Sequence, residues 1–177
     1  MAEVGLPIDD EFLKVVAHLT KLEVLCLDWN DIGDASLAYV ETLTNLRWLH
    51  LQHTNVTDSG LAALAGLRRL ESLWLKGACV TDAGLVHLRR LTRLEELELD
   101  YTRITDAGLE QLAPLTQLKV LRVMGTDVTD AGLQHLKRMP RLQAIYLNGT
   151  FVTDAGVADL KKALPNCTIV SSSRRLP

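Results

Sequence analysis

The hexapeptide "VTDAGL" occupies Val80–Leu85 and returns with small changes at Ile104–Leu109, Val128–Leu133 and Val152–Val157, while "VTDSGL" stands at Val56–Leu61. Val56, Val80, Ile104, Val128 and Val152 are spaced by 24 residues at every step. A constant period in the 20–50 residue range is the signature of stacked coils rather than of a folded globule with one central core. Working outward from the hexapeptide, the register begins at Leu22 and recurs at Leu46, Leu70, Leu94, Leu118 and Leu142, giving six copies. Each reads L-x-x-L-x-L-x-x-[TN]-x-[VI]-T-D-A-G-L-x-x-L-x-x-L-x-x, with drift such as "DIGDASL" in the first copy and Ala78 at the [TN] position in the third.

The hydrophobic period changes within each copy. In "LEELELDYT", Leu97 and Leu99 alternate with Glu98 and Asp100, the period of two expected of a half-buried strand. In "TDAGLEQLAPL", Leu109, Leu112 and Leu115 are three apart, as one face of a helical turn requires. Each copy is therefore one short strand and one short helix. The hexapeptide joins them: Val or Ile enters the core, Thr is a favoured helix N-cap, and Asp sits at the positive end of the helix. Gly lowers helix propensity by roughly 1 kcal/mol, so its expected purpose is to let the first helical turn lie close to the neighbouring coil. A single copy cannot bury enough apolar surface to offset the ordering of its backbone, so stability belongs to the array.

Composition sets the outer bounds. The chain has 177 residues, 47% of them hydrophobic, a formal net charge of −3 and a sequence pI near 5.9. With Lys and Arg scattered along the sequence, no basic stripe for a phosphate backbone is expected, and no nucleic-acid partner. The opening "MAEVGLPIDDEFLK" lacks a secretory leader's basic and apolar regions, and no stretch has the length of a membrane span. A soluble, cytoplasmic monomer with no membrane partner is expected. Cys26, Cys79 and Cys167 are odd in number and far apart, which fits reduced thiols.

The chain resembles the leucine-rich repeat superfamily, in particular its bacterial "TDAGL" type and the ribonuclease-inhibitor-like and F-box-associated relatives. The resemblance covers Leu22 to about Asn166. It implies an α/β leucine-rich repeat solenoid, a right-handed horseshoe or arc with a parallel β-sheet on the concave face and short helices on the convex face. It also implies a protein-binding scaffold. Residues 1–21 are expected to form an N-terminal helical half-repeat cap, with Phe12 and Val16 covering the first coil. Residues 22–166 form the six repeats, and 167–177 a degenerate strand and polar tail, all in one domain. Thr54, Thr102, Thr126 and Thr150 stand where many members of the family carry Asn, which here appears only as Asn30. No F-box-like segment precedes Leu22, so an adaptor role in ubiquitin ligation is not implied.

The residues alternating with the strand leucines face away from the core. Stacked, they make three columns: Val24, Trp48, Ser72, Glu96, Val120 and Ala144; Cys26, His50, Trp74, Glu98, Arg122 and Tyr146; Asp28, Gln52, Lys76, Asp100, Met124 and Asn148. By resemblance a fourth column, Trp29, His53, Gly77, Tyr101, Gly125 and Gly149, opens onto the concave rim. All three tryptophans of the chain fall in these columns and in the first three copies. Core positions are filled by Leu, Val and Ile, so the tryptophans point to partner binding, with shielding of the sheet as the plainer alternative. Glu96, Glu98 and Asp100, bordered by Lys76 and Arg122, form an acidic block suited to a partner carrying basic and apolar groups. The expected partner-binding set is Trp29, Trp48, His50, His53, Trp74, Lys76, Glu96, Glu98, Asp100, Tyr101, Arg122 and Tyr146.

Cys26 beside His50, with Asp28 and His53 near, is the one constellation with catalytic or zinc-binding potential. It would lie on an open sheet without an oxyanion donor or a water-excluding pocket. No Gly-rich phosphate loop, HExxH or CxxC is present. The expectation is a non-enzymatic scaffold binding a protein or peptide, with no cofactor, metal or catalytic residue. Alternatives are a self-assembly module pairing through its end strands, and a substrate-recognition part of a larger assembly. Arg89, Arg90, Arg93, Lys137 and Arg138 on the helices are expected to be solubilising charge, with His87 and His135 facing solvent.

Overall fold

The computed structural model describes Ile8 and residues 10–172. Seven strands form one parallel sheet in strict sequence order: β1 Val24–Cys26, β2 Trp48–His50, β3 Ser72–Trp74, β4 Glu96–Glu98, β5 Val120–Arg122, β6 Ala144–Tyr146 and β7 Thr168–Val170. Every strand has three residues because its outward positions flank a single inward one. Leu25, Leu49, Leu73, Leu97, Leu121 and Ile145 are the inward residues of β1 to β6 and all are buried, while Ile169 of β7 is partly buried. The register keeps the 24-residue step throughout, pairing Val24 with Trp48 and Cys26 with His50, and so on to Tyr146 with Val170.

The helices follow: α1 Asp10–Val16, α2 Asp34–Leu37, α3 Asp58–Leu61, α4 Asp82–Leu85, α5 Asp106–Gln111, α6 Asp130–Leu136 and α7 Asp154–Ala163. In the first three coils one α-turn tightens into a 3-10 segment, at Ala38–Thr42, Ala62–Leu64 and Val86–Arg90. Between sheet and helices runs a continuous core of Leu, Val and Ile. The N-terminal helix meets that core through Leu13 and Val16, whereas Phe12 is 45% exposed. Phe12 is thus not the covering residue expected from sequence, because the helix turns its Leu13 side inward. The polar tail expected at the C-terminus falls largely on residues outside those described.

The hexapeptide does more than close one coil. Thr57, Thr81, Thr105 and Thr129 cap their helices by accepting the backbone N–H two residues on, and Thr153 accepts from Gly156. The carboxylate of each preceding Asp is occupied by the next coil. Asp34 takes the N–H and hydroxyl of Thr57, and Asp58, Asp82, Asp106 and Asp130 do the same for Thr81, Thr105, Thr129 and Thr153, at 2.6–2.8 Å. Asp is therefore an inter-coil clamp as well as a complement to its helix dipole. The glycine of the next coil's hexapeptide makes room for it: a Cβ on Gly84, Gly108 or Gly132 would lie 2.4 Å from the preceding coil's Asp Oδ1.

After the third outward column the chain turns away from the sheet through a left-handed residue in every coil. Gly77, Gly125 and Gly149 have φ between 68° and 71°, and Trp29, His53 and Tyr101 have φ between 52° and 61°. Each donates its N–H to the carbonyl of the third-column residue in the next coil, as His53 does to Lys76 at 2.7 Å and Tyr101 to Met124 at 2.7 Å. Behind the turn, Thr54, Thr102, Thr126 and Thr150 donate their buried hydroxyls to the carbonyl three residues back at 2.7 Å. Asn30 meets the same need with its amide, donating to Leu27 and Asp28 carbonyls. A hydroxyl suffices there, which accounts for Thr at the usual Asn position.

Candidate functional site

The parallel register brings the outward residues of the first four coils onto one surface. Along the second column Cys26 Sγ lies 3.4 Å from His50 Nδ1, and the His50 ring stacks on Trp74 with centroids 3.8 Å apart and planes 4° from parallel. At the rim Trp29 stacks on His53, again at 3.8 Å and with an interplanar angle of 19°. The Arg47 guanidinium lies 4.9 Å from the centroid of Trp48, and Lys76 Nζ is 5.7 Å from that of Tyr101. Arg122 covers Tyr146 at 4.4 Å. Trp29 is 75% exposed, Tyr101 60% and Trp48 39%, so the rings keep free faces.

Each left-handed aromatic leans over the coil that follows it. A Cβ on Gly77 would meet His53 Nδ1 at 2.7 Å, and one on Gly125 would meet the Tyr101 ring at 2.5 Å. Gly77 and Gly125 are thus flat because a ring lies over them, while Trp29 rests on His53 by stacking. Asp28 Oδ2 lies 4.0 Å from His50 Nδ1, and Asp28 Oδ1 accepts the Gln52 N–H at 2.7 Å. The indole N–H of Trp74 is buried and has no partner.

The acidic block changes most between sequence and structure. Asp100 is fully buried, and its carboxylate accepts the Met124 N–H at 2.6 Å and Arg122 Nε at 3.3 Å. Glu98 is buried as well, 3.5 Å from the same Arg122 Nε. Burial and the adjacent Asp100 raise the Glu98 carboxyl above the usual range, and Arg122 opposes that shift only in part. Of the three, Glu96 alone is partly open to solvent, with one oxygen 3.4 Å from the Ser72 hydroxyl. Asp100 and Glu98 therefore hold Arg122 in place, and neither presents the open charge expected of it. Alternation gives the face a residue belongs to but not whether longer neighbours close over it.

Arg47 was not singled out by sequence. It precedes the strand, outside the alternating columns, yet it supports Trp48 while pairing with Glu71 at 2.8 Å and Glu23 at 3.4 Å. Those contacts raise the Arg47 pKa and lower that of Glu71. Its signal is the charge ladder Glu23, Arg47, Glu71, spaced like the leucines. Nearby, partial burial and the Asp28 carboxylate raise the Cys26 thiol pKa, which disfavours the thiolate a nucleophile needs. Among the described residues no three His, Cys, Asp or Glu side chains converge to ligate a metal, so the zinc alternative at Cys26, Asp28, His50 and His53 has no geometric support. All three cysteines are unpaired thiols.

The repeat and the one-strand-one-helix coil now have external counterparts. A family model described as Leucine Rich repeat matches residues 18–39, 42–65 and 90–113. Over those stretches the chain is similar to the leucine-rich repeat family. Its fold matches an internalin of Listeria monocytogenes with a TM-score of 0.65 and 22% identity, over 93% of this chain and 51% of that one. It also matches a leucine-rich repeat protein of Leptospira interrogans with a TM-score of 0.70 and 21% identity, over 87% of this chain and 38% of that one. The chain thus spans about half or less of those structures. Comparison with curated proteins gives no match. The leucine-rich repeat fold commonly mediates protein–protein interaction and is typically a non-enzymatic scaffold. Among the described residues no helix is long and apolar enough to cross a membrane.

Proposed function

We propose that this leucine-rich repeat chain is a non-enzymatic scaffold that holds a protein or peptide partner against the aromatic side of its sheet. Trp29, Trp48, Trp74, His50, Tyr101 and Tyr146 anchor the partner, and His53, Lys76, Glu96 and Arg122 border them. The observation that carries this reading is the left-handed column. Glycine adopts that backbone without strain in the third, fifth and sixth coils, whereas Trp29, His53 and Tyr101 each bear a penalty on the order of 1 kcal/mol. Trp29 and Tyr101 are mostly exposed, so burial does not offset it. Strain retained where a large aromatic is displayed belongs to recognition rather than to folding. Because the rings are already stacked, little further ordering is needed on binding.

The test compares proteins captured from native cell extract by the wild type and by Trp29→Ala/Trp48→Ala, both verified by circular dichroism. The wild type retains a partner that then binds the purified chain directly, and the double variant loses it. An identical captured set from a folded variant overturns the reading. Self-assembly through β1 and β7, each paired on one side only, is the second reading, and would leave concentration-dependent association intact in the same variant.

A further inference from the structure

The helix side carries a separation of charge that the aromatic face does not use. Ten of the chain's 19 lysines and arginines fall in five equivalent windows, 64–70, 88–94, 112–118, 136–142 and 160–166, and none of these windows holds Asp or Glu. Each window is the stretch where a coil leaves its helix and turns toward the next strand, so stacking sets the windows side by side along one rim. In a chain of net charge −3 this is a local concentration. Scatter along the sequence, expected above, becomes a band in space because the arginines share a phase of the 24-residue repeat.

Two hollows lie along the band. One, of about 530 Å³, is lined by Ala65, Val86, His87, Arg89, Arg90 and Pro114. The other, of about 520 Å³, is lined by Ala113, Gln134, His135, Lys137 and Arg138. They are the same place two coils apart: His87 matches His135, Arg89 matches Lys137, and Arg90 matches Arg138. The alternation Ala65, Arg89, Ala113, Lys137 creates them, since a short side chain in one coil leaves space beside a long one in the next. Lys137 is paired with Asp159 at 2.5 Å. Among the described residues Arg89, Arg90 and Arg138 have no carboxylate at ion-pair distance, and all three are exposed.

We propose that this rim, from the third to the fifth coil, binds an extended acidic segment of a protein, seating carboxylates in the two hollows. Guanidinium groups take carboxylates in bidentate fashion, and Val86 and Pro114 offer apolar contact to the methylenes of a glutamate. Helices of successive coils pack ~8–10 Å apart, so the hollows are separated by roughly 16–20 Å, and side chains about six residues apart on an extended chain share a face and span that distance. The window of the intervening fourth coil, 112–118, has no charge. Spaced carboxylates fit that gap, whereas the dense phosphates of a nucleic acid favour an unbroken basic track.

The experiment is fluorescence anisotropy at 150 mM NaCl with a labelled (Glu-Ser-Ser)5 peptide. Arg89→Glu/Arg90→Glu weakens binding by about tenfold or more, equivalent to ~1.4 kcal/mol. Trp48→Ala, on the opposite face, leaves it unchanged and separates this rim from the aromatic site. Circular dichroism verifies the fold, and Arg89→Gln/Arg90→Gln replaces the reversal variant should that one not fold. A permuted peptide with its glutamates in one block binds more weakly than the spaced one. Absence of binding, equal binding by a folded Arg89/Arg90 variant, or tighter binding to single-stranded RNA or phosphatidylserine vesicles than to the peptide overturns the proposal.

Discussion

Asp82 and Thr105 lie on successive coils, and the carboxylate of the first accepts both the backbone N–H of the second at 2.8 Å and its hydroxyl at 2.7 Å. The same hydroxyl accepts the N–H of Ala107 at 3.3 Å, so one Thr side chain caps its own helix while it is bound to the coil before. Asp82→Ala removes two charge-assisted bonds and leaves the Thr105 N–H unpaired. The expected loss is about 2–4 kcal/mol in urea denaturation, from bonds to charged groups of ~1.5–3 kcal/mol each and incomplete additivity. Thr105→Ser keeps both bonds and costs under about 1 kcal/mol. Equal losses from the two variants would show that the clamp carries no weight.

The clamp reverses the usual sign of a glycine substitution. Gly108 lies in a helix, where Ala is favoured by roughly 1 kcal/mol. A Cβ there, however, would stand 2.4 Å from Asp82 Oδ1 and 3.1 Å from Leu85 Cδ1. Gly108→Ala is therefore expected to destabilise, by about 1–3 kcal/mol as overpacking does. Gly66 meets nothing within 4 Å and has no left-handed φ, so Gly66→Ala is expected to stabilise by about 0.4–1 kcal/mol. The measurement is the urea midpoint of each variant; stabilisation by Gly108→Ala would show that the coils separate easily enough to remove the constraint.

These two glycines also mark what can be read without coordinates. The hexapeptide period, the strand leucines and the lateral columns all follow from spacing, since a 24-residue step with period-two strands leaves one register, and the sheet shows it. The partners of Asp82 do not follow from spacing, because a bond to a residue 23 positions away is invisible to patterns that report only which face a residue occupies. Burial of Asp100 is hidden for the same reason, as it depends on Arg122 and on the Met124 backbone. The left-handed column had a signal: Gly77, Gly125 and Gly149 share one phase of the repeat. Trp29, His53 and Tyr101 in the same phase hide it, and that substitution of aromatics for glycine is what points to recognition.

Tyr101 and Gly125 make the strain measurable. Gly125→Ala places a methyl group at φ 68° and 2.5 Å from the Tyr101 ring. In the wild type it is expected to cost about 2–4 kcal/mol, combining left-handed strain of ~1–2 kcal/mol with displacement of the ring. Tyr101→Gly relieves the strain at its own position and loses only a partly exposed ring, so its net effect on stability is expected within about 1 kcal/mol of zero. In the Tyr101→Gly background the cost of Gly125→Ala falls to the backbone component alone. A double-mutant cycle with no coupling between the two sites would show that the ring does not rest on Gly125.

Glu98 supplies the pH prediction. Burial, then the neighbouring Asp100, raise its folded-state pKa above the unfolded value, so the folded chain binds this proton more readily than the unfolded one. Stability from this group is therefore full below the unfolded pKa and falls as pH rises through the folded one. At neutral pH the ionised carboxylate is a burden that Arg122, shared with Asp100, relieves only in part. Glu98→Gln keeps the shape, removes the charge and leaves Arg122 paired with Asp100. The expected result is a higher Tm at pH 7, a gain that shrinks toward pH 4.5, and a flatter dependence of stability on pH between those points. Thermal denaturation of both proteins across that range is the check. A gain that instead grows toward acid pH would mean that the Glu98 carboxylate is stabilised by Arg122 more than burial opposes it.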